Sequence, residues 1–142
     1  MIKLMPGLDS SAAALQAERI RLEVIGQNIA NSNTTKTASG KPYERQIVKF
    51  ETVLQDKLGV NSEAVPLLVK VAKIAKDTKP PKEIYQPGHP DAKPNGMVDY
   101  PNVNVHEEMA DMIASSRAYE ANLAAIKNAR SMTLQTLAIG RR

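Results

Sequence analysis

Hydrophobic and small residues in the last third of the chain recur at alternating steps of four and three: Val105, Met109, Met112, Ser116, Tyr119, Leu123 and Ile126, then, past Arg130 and Thr133, Leu137. That spacing lines up one stripe of an α-helix and predicts a helix from Val105 to Leu137. At ~1.5 Å per residue such a helix is roughly 50 Å long, more than the width of a small domain. Part of the stripe therefore needs a partner, either a second long helix of the same chain or a neighbouring molecule. A second heptad pattern lies near the start, where Leu8, Leu15, Leu22 and Ile29 stand seven apart, with Ile25 between them and Ser11 and Glu18 interrupting. It predicts a helix over residues 8–31, with Arg19 and Glu23 paired four apart on its polar face.

Local signals set the limits of these helices. Pro6-Gly7 reads as a turn, with Asp9, Ser10 and Ser11 as candidate N-caps behind it. The first helix should end within Asn28-Ile29-Ala30-Asn31-Ser32-Asn33-Thr34, because Asn accepts the left-handed conformation and Ser and Thr compete for backbone hydrogen bonds. The second should open at Asn104, with Glu107 at capping-box spacing and Glu108 and Asp111 beside the positive helix end, and stop at Gly140.

Between the helices the period changes. Residues 32–42 are small and polar and read as a loop. Tyr43–Leu54 alternates as a strand does, Gly59–Glu63 reads as a turn, and Pro66–Lys76 is assigned to a second strand on its β-branched residues. Asp77–Pro101 then carries six of the chain's nine prolines. That leaves room only for short extended pieces at Glu83–Gln86 and Met97–Tyr100. The expected fold class is α+β: long N- and C-terminal helices forming an antiparallel coiled-coil pair, with a small β-containing insert and a Pro-rich extended arm between them. In domain terms, residues 1–33 and 101–142 make a discontinuous helical unit and residues 34–100 a lobe and arm.

Composition narrows the chemistry. One Phe, four Tyr and no Trp argue against a large aromatic core, and the absence of cysteine removes disulfides, thiolate metal sites and Cys nucleophiles together. The formal charge of +4 only mildly favours anionic partners. No run of apolar residues is long enough to span a membrane, and the N-terminus lacks the layout of a cleaved secretory signal.

The candidate sites are thin. His106-Glu107 opens like a zinc-binding H-E-x-x-H helix, but Ala110 stands where the second ligand belongs. His89, between Pro87-Gly88 and Pro90, reads as a turn element making a backbone hydrogen bond. Asp91–Gly96 resembles a calcium loop only until Lys93 occupies an oxygen-ligand position. Glu107, Glu108 and Asp111 read as carboxylates complementing the helix dipole. Lys70, Lys73, Lys76, Lys79 and Lys82 recur every three residues, and an anion-binding role for this ladder is the one alternative function. No nucleophile, base and orienting group come together, so neither catalysis nor a cofactor or metal is expected.

Three stretches together resemble the proteins of the bacterial flagellar rod, most closely those of its proximal part. The first is Gln27-Asn28-Ile29-Ala30-Asn31-Ser32-Asn33-Thr34, similar to a signature shared by rod and hook axial proteins. The second is Tyr85-Gln86-Pro87-Gly88-His89-Pro90-Asp91-Ala92, with Gly96-Met97-Val98 and Tyr100-Pro101-Asn102-Val103-Asn104. The third is Glu108-Met109-Ala110-Asp111-Met112, then Ser116-Arg117-Ala118-Tyr119-Glu120-Ala121-Asn122.

The resemblance implies a structural subunit, exported through the flagellar type III apparatus without a cleaved signal. Its partners would be copies of itself and other rod proteins, with no nucleic acid and no direct membrane span. Under this reading the assembly interface comprises Leu15, Leu22, Ile25, Asn28, Ile29, Asn31, Met109, Met112, Tyr119, Asn122, Leu123 and Ile126. The rival is a small basic module binding nucleic acid or an anionic surface through Lys70–Lys82.

Overall fold

A computed structural model of the chain describes residues 6–54 and 67–140, and the expected turn at Gly59–Glu63 and the start at Pro66 lie outside them. The element order is α1 (Pro6–Ala30), β1 (Gln46–Leu54), β2 (Leu67–Lys76), β3 (Lys82–Tyr85), β4 (Met97–Tyr100) and α2 (Val105–Ile139). The fold is thus α+β, with a helix at each end and two small antiparallel sheets between them.

Pro6-Gly7 does not form a turn ahead of the first helix; the two residues begin it. Proline suits a first helical position, since its missing N–H would have no intrahelical partner there and its fixed φ is already helical. Asp9, Ser10 and Ser11 consequently fall inside α1, where Asp9 still lies in the acid-favouring first turn. The far end closes at Ala30, as the Asn-rich stretch predicts, but not through a left-handed residue. Among the described residues no non-glycine has positive φ. Instead the Asn31 N–H donates to Gln27 O (3.0 Å), Ser32 N–H to Ile29 O (3.2 Å) and Thr34 N–H to Asn31 O (3.1 Å), so the helix unwinds through successive turns.

The α2 limits follow the sequence closely. Asn104 is the N-cap, its side-chain oxygen accepting from the His106 N–H at 3.2 Å, and the Gly140 N–H donates to Thr136 O at the other end. α1 packs against α2 on one side and against β1 and β2 on another. The small core is centred on Ala17, Val24 and Ile25 of α1 together with Val98 and Val103, all of them buried.

β1 and β2 pair from Gln46↔Lys76 to Leu54↔Leu67, with a bulge after Lys49 that sets Phe50 opposite Val71 and Lys49 opposite Lys73. The two short extended pieces also pair, in the register Lys82↔Tyr100 to Tyr85↔Met97. Their connection is a chain of turns: Gln86 N–H to Gly96 O, His89 N–H to Gln86 O, Ala92 N–H to His89 O and Lys93 N–H to Met97 O. His89 is the expected turn element, its Nδ1 accepting the Asp91 N–H at 3.1 Å. Gly96 sits at φ 75°, and a Cβ there would come 2.7 Å from the Tyr85 ring.

Candidate functional site

Where α1 ends, β1 begins and α2 starts, a polar cluster is buried. Its centre is Asn28, 1% exposed. The Asn28 amide Nδ2 donates to Gln46 O (2.9 Å) and to Glu108 Oε2 (3.1 Å), while Oδ1 accepts from the Gln46 N–H (2.9 Å) and the Tyr43 hydroxyl (2.9 Å). One side chain thus satisfies both backbone groups of the first residue of β1, as a neighbouring strand would. All four hydrogen-bonding positions of the amide are in use, which is what makes its burial tolerable.

Glu108, from the first turn of α2, is equally buried. Arg45 grips its other oxygen through Nε at 2.7 Å and Nη2 at 2.6 Å. Nη1 of the same guanidinium reaches Asp77 Oδ2, just beyond β2, at 3.5 Å. A buried carboxylate demands such pairing, because leaving it alone would cost several kcal/mol on the order expected for an uncompensated buried charge. Burial works against the Arg45 charge, yet Glu108 and then Asp77 hold the guanidinium above its ordinary value. Burial also pushes the Tyr43 phenol up, and the Glu108 charge adds to it. The node therefore joins five parts of the chain: α1, the loop before β1, β1 itself, the segment after β2, and α2.

Sequence reasoning read Glu108 only in part and missed Tyr43, Arg45 and Asp77. Glu108 reads locally as a carboxylate complementing the helix dipole, but it is a buried ion-pair partner; Asp111 likewise pairs with Arg21 at 3.5 Å. Glu107, expected to close a capping box, is exposed. Neither Tyr43 nor Arg45 carries a local signal. A cue existed in the spacing of the signature blocks, since the first contributes Asn28 and the third Glu108, and the structure brings them together.

The other expected interface residues divide by exposure. Ile25 is buried, and Leu15, Leu22 and Ile29 are half-buried on α1; Asn31 is half-buried and bonded to Gln27 O. On α2 one run of buried and half-buried positions, Glu108, Met112, Ser115, Tyr119, Asn122, Ile126, Ala129 and Thr133, again follows steps of four and three, with Val105, Asp111, Ser116 and Ala118 half-buried beside it. The stripe read from hydrophobicity shares Met112, Tyr119 and Ile126 with this face, and its Val105 and Ser116 are half-buried, but Met109 and Leu123 sit one residue too far along. Met109 (51% exposed) and Leu123 (36%) look outward, joined by Ile113, and the end of the helix exposes Met132, Leu134, Leu137 and Ile139.

The lysine ladder does not form one track. Lys70, Lys73 and Lys76 lie on β2, Lys76 is tied to Glu44 at 2.6 Å, Lys73 faces another cation in Lys49, and Lys82 belongs to the second sheet. Among the described residues no group of three or more metal-ligating side chains gathers, and no helix is long and apolar enough to cross a membrane.

Beside this buried, paired node, α2 leaves Met109, Ile113, Leu123, Met132, Leu134, Leu137 and Ile139 exposed. Two family models match the chain: residues 8–36 fit "Flagella basal body rod protein" and residues 95–139 fit "Flagellar basal body rod FlgEFG protein C-terminal". Similarity to curated relatives is close and extends over almost the whole length. The flagellar basal-body rod protein FlgC of Borreliella burgdorferi is 40% identical, over 96% of this chain and 97% of its own. That of Bacillus subtilis is 37% identical over 94% and 96%, and that of Salmonella typhimurium 35% over 93% and 94%. The chain belongs to the FlgC family of flagellar basal-body rod proteins, a structural family rather than an enzymatic one.

Proposed function

We propose that the chain is a self-assembling subunit of the bacterial flagellar basal-body rod, in its proximal part, packing with its own copies and with other rod proteins into a helical, channel-bearing shaft. The observation that carries this reading is the set of large apolar residues that α2 leaves uncovered, with Met109, Ile113, Leu123 and Leu134 within about 40° of one line along the helix, on a chain of this family. Each 100 Å2 of such surface removed from water contributes about 2.5 kcal/mol at ~25 cal/mol per Å2, so a few neighbours suffice to drive polymerisation.

In this reading residues 1–33 and 101–142 act as one discontinuous helical unit, an antiparallel coiled-coil pair whose outer face meets neighbouring subunits, and residues 34–100 form the lobe and Pro-rich arm. The interface set Leu15, Leu22, Ile25, Asn28, Ile29, Asn31, Met109, Met112, Tyr119, Asn122, Leu123 and Ile126 then serves two ends. The covered members hold the pair together, and Met109 and Leu123 face other subunits. The subunit reaches a rod crossing the periplasm through the flagellar type III export apparatus, without a cleaved signal peptide.

Complementation tests it. In a strain lacking the native gene, Met109→Asp and Leu123→Asp should abolish swimming while the purified variants keep the wild-type circular dichroism spectrum. Changing Lys70, Lys73 and Lys76 to Glu should leave swimming intact. Normal motility of both aspartate variants would refute the proposal.

A further inference from the structure

We propose, on the rod reading above, that the uncovered face of α2 is answered by α1 of the next copy of this chain, lying antiparallel to it and keyed by two ion pairs, Glu120 with Arg19 and Arg117 with Glu23. A contact between a patch and its own twin closes a dimer and stops, whereas a growing shaft needs two different patches on each subunit. The uncovered side of α2 is one. Ile113, Ser116, Glu120, Leu123 and Lys127 follow at steps of three and four, with Leu134 a heptad further, and all but the half-buried Ser116 are exposed. Each stands one residue beyond a member of the covered run, so this second seam lies ~100° around the helix from the first.

The matching patch is on α1. Arg21 and Asn28 bond to α2, and roughly 150° around the helix from them Leu8, Ala12, Leu15, Arg19, Leu22 and Gly26 follow at steps of four and three. Ala12 and Arg19 are exposed, the other four are half-buried, and nothing lies within 4 Å of where a Cβ at Gly26 would stand. Laid antiparallel with Ile113 level with Ile29, the seams set Ser116 against Gly26, Lys127 against Leu15 and Leu134 against Leu8. Small then meets small, the apolar ends meet, and the Lys127 stem lies along a leucine.

Charge fixes the direction. Arg19 bonds Glu23 at 3.3 Å, with both side chains more than half exposed. On α2, Arg117 and Glu120 stand three apart and are exposed as well. Both helices therefore carry a cation followed by an anion. Antiparallel packing sets opposite signs together at both points, and parallel packing would set like signs together. In the alignment above Glu120 is three residues from the level of Arg19, ~4.5 Å along the axis, and Arg117 two residues from that of Glu23, ~3 Å. The Asn28–Glu108 and Arg21–Asp111 contacts run α2 opposite to α1 within the subunit. A neighbouring α1 antiparallel to this α2 thus belongs to a copy pointing the same way, as a shaft of one polarity requires.

Charge reversal in cells whose only copy is the variant tests the keying. Arg117→Glu with Glu120→Arg should shrink the swim ring at least twofold, as should Arg19→Glu with Glu23→Arg. All four changes in one chain restore opposite signs and should return the ring to near the wild-type diameter. Cross-linking tests the placement, and the chain has no cysteine of its own. Ala12→Cys and Arg130→Cys are level across the proposed contact. In isolated basal bodies the chain carrying both should oxidise into a ladder of dimers and higher species, and either cysteine alone should leave it monomeric. Dimers from Arg130→Cys alone would mean that the face meets its own twin, and would overturn the proposal. So would basal bodies that contain the chain yet give no ladder, or a fourfold reversal that swims no better than either twofold one. Absence of the chain from basal bodies would instead overturn the rod reading, and this proposal with it.

Discussion

Replacing Asn28 by aspartate is the sharpest probe of the node, because it changes one NH2 group to an oxygen without altering shape. In the native chain that NH2 donates to Glu108 Oε2 at 3.1 Å and to Gln46 O at 2.9 Å. In Asn28→Asp both contacts become oxygen against oxygen, and one sets two carboxylates side by side. At an effective dielectric constant of 20 two such charges ~3 Å apart repel by about 5 kcal/mol. The variant can relieve this by taking up a proton. Protonating a group of ordinary pKa near 4 at pH 7 costs about 4 kcal/mol, at ~1.4 kcal/mol per pH unit, which caps the loss. With part of the repulsion offset by the Arg45 guanidinium, a loss of about 3–4 kcal/mol at pH 7 is expected.

The sign with pH follows. The shared proton binds more tightly in the folded variant than in the unfolded one, so the folded pKa is raised. Stability is then greatest below the unfolded carboxyl pKa and is lost as pH rises through the folded value. Urea unfolding followed by far-ultraviolet circular dichroism at pH 7 and again near pH 4.5 measures both quantities. Relative to wild type, Asn28→Asp should regain about 2 kcal/mol or more on acidification, whereas Asn28→Ala, which lacks the second carboxylate, should not. A loss under about 1 kcal/mol at pH 7, or a loss independent of pH, would refute the burial and pairing described for this site.

Three further outcomes are expected. Gly96→Ala places a Cβ at positive φ and against the Tyr85 ring; since that ring is largely exposed and can move aside, the residual backbone strain of about 1 kcal/mol should appear as faster amide exchange at Gln86, whose N–H donates to Gly96 O. Tyr43 holds its phenol above the ordinary tyrosine value, so its contribution to stability is complete below that value and lost as pH rises through the folded one; an ultraviolet difference titration between wild type and Tyr43→Phe should isolate one phenol titrating late, and an ordinary midpoint would contradict its burial beside Glu108. Leu123→Asp, at a site already exposed in the subunit, should change unfolding free energy by less than about 0.5 kcal/mol, and a loss above about 2 kcal/mol would mean the residue is buried within the chain.

Both helices, the two strands of the first sheet and the α+β class were legible from periodicity and turn residues. What escaped was of two kinds. Long-range partners leave no local trace: Asn28 belongs to a stretch that reads as a helix end, yet it is buried because Gln46, 18 residues on, needs both its backbone groups satisfied. Glu108 is likewise where a dipole-complementing acid belongs, which hides that it answers Arg45, 63 residues earlier. The pairing of β3 with β4 was obscured by the prolines around them, which restrict the loop without preventing two four-residue pieces from meeting. The second kind is a shift of phase on α2. Hydrophobicity followed Met109 and Leu123, whereas the face turned to the rest of the chain runs through Ser115 and Asn122. On the proposed function, apolar residues on this helix answer to neighbours as well as to α1, so the most apolar stripe and the intramolecular one need not coincide.

The most direct measurement is made on assembled rods. Basal bodies isolated from cells whose only copy of this chain carries Met109→Cys or Leu123→Cys would be treated with a short thiol-reactive cross-linker and, in parallel, a small alkylating reagent, then analysed by mass spectrometry. The account predicts that the chain is a stoichiometric rod component, that both cysteines resist alkylation in the rod while reacting freely in the purified subunit, and that cross-links join them to residues of adjacent subunits. Absence of the chain from intact basal bodies, or cysteines as reactive there as in the free subunit, would contradict it.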